Sequence, residues 1–135
     1  MKKLTPVLVV ESIEECLPFW VGKVGFTKGI EVPHGDKLGF VILNHGPVEL
    51  MLQSRASVLA DVPTLAREVG KAALFIEVED LAPFRKALAG APKTFEERST
   101  FYGAREIGVR DPDGQCVTFA QFGAQSGAAE APKPK

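Results

Sequence analysis

The sequence predicts an α+β fold of two tandem βαβββ modules, and three observations carry that prediction. The order apolar strand, capped helix, three further strands is written twice along the 135 residues. The letters echo as well: "VES" before Ile13 returns as "VED" before Leu81, 68 residues on. Each module also carries strong turn sequences, PHGD and NHGP in the first and DPDG in the second.

Taken in order, residues 4–10 are an apolar, β-branched run that reads as the first strand. Ser12 follows as a helix cap, with Glu15 three residues later. Ile13, Cys16, Leu17, Phe19, Trp20 and Val24 then recur mostly at helical spacing until Gly25, a usual C-terminal residue. Pro18 falls in the second turn and costs that helix a hydrogen bond. Strands are expected at 26–32, 38–43 and 48–53, so module one spans about residues 4–53. A helix-prone connector fills 54–70.

Module two, about 72–122, opens with a strand at 72–78. Asp80 can cap a helix through Leu81, Phe84, Leu88 and Ala89, ended by Gly90. Strands follow at roughly 93–100, 104–109 and 115–122. Residues 1–123 are expected to form one domain, and the Ala/Pro/Lys-rich tail 124–135 to be disordered.

Composition limits the function classes. Hydrophobic residues make up 45% and charged residues 24%, ordinary usage for a globular domain. Sixteen basic residues against 17 acidic give a net charge of −1, with no Lys/Arg cluster dense enough for a run of phosphates. Nucleic acid is therefore not an expected partner. Pro6 and Glu11 interrupt the apolar N-terminus before a signal core or membrane span could form, so no membrane partner and a cytoplasmic location are expected. Cys16 and Cys116 show no CxxC spacing and read as reduced and buried.

Together with the module order, "FWVGKVGF" at 19–26 and "YGAREIGVRDPDGQCVTF" at 102–119 resemble the vicinal oxygen chelate superfamily of glyoxalases, bleomycin-resistance proteins and extradiol dioxygenases. The resemblance implies that the modules form a cup of curved mixed sheet, with metal ligands in the enzymes on the first and last strands of each module. Those positions fall here on Thr5, Glu49, Ala73 and Thr118. Ala73 has no donor atom, and threonine hydroxyls are poor neutral donors to a dication, so no metal and no cofactor are expected. His34 and His45 lie in predicted turns and do not replace the missing ligands.

If those four positions face inward, a strand's period of two sends Val7, Val9, Met51, Gln53, Phe75, Glu77, Cys116, Ala120 and Phe122 the same way. Leu8, Val10, Leu50, Leu52, Leu74, Ile76, Val78, Val117 and Phe119 then form a strictly apolar opposite face. The candidate ligand-binding residues are Thr5, Val7, Glu49, Met51, Gln53, Ala73, Phe75, Tyr102, Arg105 and Thr118. Arg105 and Glu106 alternate, so one of them faces the cup. Trp20 and Tyr102 are aromatic walls or interface filling, the second reading being the commoner one for large aromatics.

The resulting expectation is a metal-free small-molecule-binding protein, similar to the bleomycin-resistance branch, that sequesters a drug or metabolite, with enzyme activity left open. The runner-up is a metal-independent lyase or isomerase with Glu49 as general base; a metal-dependent glyoxalase- or dioxygenase-type enzyme ranks last. A cationic glycopeptide such as bleomycin favours a strongly acidic partner, and −1 is close to neutral. Family members of this size resemble homodimers, which is the expectation here too.

Overall fold

The computed structural model describes residues 1–123, so the expected disordered tail at 124–135 lies outside the described residues. The chain divides into two compact units, Met1–Ala72 and a second beginning at Ala73. Each is a βαβββ module with a four-stranded mixed sheet.

In the first unit β1 (Val7–Val10) leads into α1 (Ile13–Leu17), then β2 (Thr27–His34), β3 (Lys37–His45) and β4 (Val48–Ser54), in sheet order β1-β4-β3-β2. β1 starts three residues later than the apolar run suggests, because Pro6 has no N–H to give a ladder. Its carbonyl still accepts from Met51 N at 3.0 Å. The Ser12 hydroxyl accepts from Glu15 N at 3.3 Å, as the cap predicts. At Pro18 the helix cannot keep its α pattern, and Pro18–Val24 runs on as a π-helical segment. Gly25, at φ 102, ends it, while Gly25 N and Phe26 N both bond Trp20 O. His34 and His45 are the last residues of β2 and β3, not turn residues; the turns are Gly35-Asp36 and Gly46-Pro47.

The apolar face forms the core. Leu8, Val10, Val41, Leu43, Leu50 and Leu52 are buried along with Ile13, Cys16, Phe19 and Trp20 of the helical segment. Trp20 is fully buried, edge-on to Phe19 at 5.0 Å and to Phe26 at 5.7 Å. The connector holds α2 (Arg55–Asp61) and α3 (Pro63–Glu68), and these cover the far end of the opposite face. Val9 clusters there with Val58, Ala66 and Val69. Ser54 caps α2 through Ser57 N at 3.1 Å, and Arg55 ties Glu11 to the Ala66 carbonyl.

In the second unit β5 (Ala73–Glu77), α4 (Ala82–Ala87), β6 (Lys93–Ser99), β7 (Ala104–Arg110) and β8 (Cys116–Phe122) give the order β5-β8-β7-β6. Asp80 Oδ1 accepts from Ala82 N at 3.0 Å, but α4 is only six residues long and stops before Leu88. In the DPDG turn Asp111 Oδ1 accepts from Asp113 N and Gln115 N at 3.0 and 2.8 Å, and Gly114 takes φ 92. Cys16 is buried, whereas Cys116 is only half-buried, since its face of β8 has no helix over it; neither is in a disulfide.

On the helix side of this sheet Glu97 takes the Arg85 guanidinium through Nε and Nη2, both at 2.8 Å, and Arg105 Nε at 3.0 Å. The Arg85 contact, joined by Arg105, holds the Glu97 carboxyl down at about 2 from its usual 4.5. A carboxylate depressed on folding stabilises the protein above its unfolded value; that contribution is lost as pH falls from about 4.5 toward about 2. Thermal melts should therefore show the destabilisation by Glu97→Gln shrinking across that range, and a constant difference would contradict the pairing. In urea, Trp20→Ala should cost about 3–5 kcal/mol, because no neighbour can refill the indole's volume.

Candidate functional site

Strand register sorts the candidate residues. β1 runs parallel to β4 with Val7 opposite Met51, and β3 pairs with β4 so that Ile42 meets Met51 and Asn44 meets Glu49. One face of the first sheet therefore carries Val7, Ile42, Asn44, Glu49 and Met51, all half-buried or exposed. Thr5, just ahead of β1, reaches the same place: its Oγ1 donates to Glu49 Oε1 at 2.9 Å. Lys3 Nζ sits on the same oxygen at 2.9 Å, its own side chain 60% exposed against 15% for Glu49. The Lys3 ammonium, then the Thr5 hydroxyl and the Asn44 amide, hold the Glu49 carboxyl below its usual range. Glu49 is thus an ionised, oriented acceptor on a largely apolar strand face.

Gln53 shares this face but donates to Ser57 Oγ at 3.2 Å, and Val9 is 3% exposed under the connector helices. Neither lies on the open part of the surface. The connector helices displace them, and helix propensity at 54–70 does not say which sheet face a helix will cover.

In the second unit Thr118 lies opposite Phe75 and Gly108, while Ala73 lies opposite Cys116. By register the partner of Ala73 is thus Cys116, one pleat from Thr118, although both share the face. Ala73 is exposed, Phe75 is 54% exposed and Thr118 half-buried. Of the alternating pair it is Glu106, opposite Ala120, that shares this face. Arg105, a candidate ligand-binding residue, instead lies on the helix side, bonded to Glu97 and Ser99. Glu106 is 1% exposed, so its charge needs partners: Arg98 Nε and Nη2 give Oε1 bonds of 3.1 and 3.0 Å, and the Tyr102 hydroxyl donates to Oε2. The bond to Glu106 raises the Tyr102 pKa. Arg98 also lies 4.4 Å over the Phe95 ring.

Lys3, Asn44 and Arg98 are site residues that the sequence reading missed. Asn44 was findable, because a two-residue turn at Gly46-Pro47 forces it opposite Glu49. Lys3 and Arg98 carry no such signal, as both reach their carboxylates with long, flexible side chains.

A divalent metal, which the enzymes of the resembled superfamily use, does not fit the residues present. Thr5 spends its hydroxyl on Glu49, the Lys3 ammonium already occupies Glu49 Oε1, and Ala73 offers no donor. Among the described residues no three His, Cys, Asp or Glu side chains come together as a metal site would need. In a carboxyl NMR titration the Glu49 midpoint should lie below 4.5, rising in Lys3→Met and by less in Thr5→Val. A midpoint above 4.5 in the native protein would rule out this arrangement.

No protein-family model matches the chain, and no curated protein matches it. Solved structures do. A glyoxalase/bleomycin resistance protein/dioxygenase from Nocardioides is 20% identical with a TM-score of 0.69, covering 100% of this chain and 90% of that one. A lactoylglutathione lyase from Agrobacterium tumefaciens is 17% identical with a TM-score of 0.70, covering 90% and 94%. A bleomycin-binding protein complexed with bleomycin is 19% identical with a TM-score of 0.62, covering 91% and 100%. At such identities the likeness is one of fold: the chain has the fold of two βαβββ modules that these glyoxalase, bleomycin-resistance and dioxygenase structures carry.

Proposed function

We propose that this protein binds a small organic molecule without a catalytic metal, in the manner of the bleomycin-resistance branch of the fold. Glu49 anchors the ligand in this reading, with Val7 and Met51 beside it on the first sheet; Ala73, Phe75, Tyr102 and Thr118 are further candidate binding residues of the second unit, taken by itself. The observation that carries it is Glu49 itself, an oriented carboxylate among Val7, Ile42 and Met51. An apolar surface with a few fixed polar groups is how small-molecule sites are built. A ligand that donates a hydrogen bond or carries a cation would compete with Lys3, whose exposed ammonium can swing away.

The general-base alternative is weaker on the same geometry. A base is most effective with a pKa near the working pH, and Lys3 and Thr5 move Glu49 the other way. Glu106 is no better placed, with Arg98 on Oε1 and Tyr102 on Oε2. A cytoplasmic homodimer completes the proposal, and among the described residues no helix is long and apolar enough to cross a membrane.

The test is a thermal-shift screen with bleomycin and a panel of cationic and neutral drug-sized molecules, run on native protein and on Glu49→Gln, with the metal content of both measured beforehand. At least one compound should raise the native melting temperature, and the rise should shrink in Glu49→Gln while sedimentation reports a dimer for both. Stoichiometric bound metal lost in the variant would overturn the reading, as would hits indifferent to Glu49.

A further inference from the structure

The two modules use the same helix pattern with different side chains. Ile13 and Leu81, 68 residues apart, are both fully buried and set the alignment. At that spacing Phe19 corresponds to Ala87 and Trp20 to Leu88. In the first unit the phenyl and indole close the space between helix and sheet, exposed by 4% and 0%. In the second, α4 has six residues, Phe84 in the place of Cys16 stacks on Phe119 at 5.1 Å, and a leucine stands where the indole was. What remains is a cavity of about 230 Å³ between α4 and the β6–β7 hairpin, lined by Arg85, Leu88, Ala89, Lys93, Ile107 and Val109 among others. Ile107 pairs with Phe119 on the helix side of the sheet, so this cavity lies on the opposite face from Thr118 and Glu106.

We propose that this cavity is a second ligand site, for small aromatic or branched carboxylates of the benzoate class. Its volume fits one ring with a short substituent, since about 150 Å³ of apolar space already accepts benzene. Leu88, Ile107 and Val109 supply the apolar wall. A guanidinium arm at the mouth selects an anion. Arg85 and Lys93 of the lining are balanced by Glu97 and Glu96, Arg105 bonds Glu97 from outside the lining, and Asp80 also acts on Arg85, so the selection rests on one guanidinium arm and not on net charge. Arg85 grips Glu97 with Nε and Nη2, so Nη1 is the arm that Glu97 does not engage. A ligand carboxylate bound there forms a charge-assisted bond without breaking the existing pair.

Benzoate titrated into methyl-labelled protein and followed by NMR tests the proposal. The methyl resonances of Leu88, Ile107 and Val109 should shift, and those of Val7 and Met51 should not. Arg85→Gln should weaken benzoate binding about five- to tenfold, and benzyl alcohol should bind native protein more weakly by a similar factor. Leu88→Trp fills the space and should abolish the shifts of Ile107 and Val109; Arg85→Gln decides the matter if that variant does not fold. Unmoved Leu88, Ile107 and Val109 methyls, an unchanged affinity in Arg85→Gln, or equal binding of benzyl alcohol would each overturn the proposal. Glu49→Gln should leave benzoate binding as it is, so this site stands or falls separately from the one on the first sheet.

Discussion

A residue in a strand has two faces to choose from, and in each unit the apolar set takes the helix side. Leu8, Val10, Leu50 and Leu52 pack beneath α1 and the π-helical segment, and Val117 and Phe119 lie beneath α4, with Phe119 stacked on Phe84 at 5.1 Å. Everything interleaved with them is thereby turned to the other face, including Glu49, Met51 and Thr118. A one-residue slip would bury Glu49 and expose Leu50, at the combined expense of an unpaired charge and lost apolar burial. The candidate site is thus held in place by residues that never touch it.

Within that constraint the two carboxylates of the open faces fare differently. Glu49 keeps some solvent and is paired with an exposed lysine, so its partner can leave. Glu106 is sealed, with Arg98 on one oxygen and Tyr102 on the other. Removing Arg98 would leave a buried charge with no cation, whereas losing Lys3 would return Glu49 toward an ordinary carboxylate. Recognition suits the first arrangement. The second suits pinning: Glu106 joins β7, the neighbouring strand β6 and the turn that carries Tyr102.

The repeat sets the topology but not the filling of the modules. Phe19 and Trp20 complete one core, whereas in the other Leu88, the counterpart of Trp20, borders a cavity rimmed by Arg85 and Glu97. The connector adds a second asymmetry. α2 and α3 close over Val9 in the first unit, shortening the open face to the stretch around Val7, Glu49 and Met51.

The sequence by itself determined the order of strands and helices, the Ser12 cap, the stop at Gly25, the hairpin turns and the parity of the first and last strand of each module. All of these are local: they depend on φ/ψ preferences, hydrogen bonds a few residues long and a period of two. It also carried the argument against a metal, since Ala73 lacks a donor in any conformation. Only the tertiary structure decided that Glu106 and not Arg105 shares the face of Thr118, because that depends on how the turn at 111–115 sets the register of β7 against β8, which alternation within one strand does not give. The same is true of Val9 under the connector, Lys3 on Glu49, and the cavity beneath α4. Each of these depends on which distant segments meet and how much volume they fill, and no local pattern of residues encodes that.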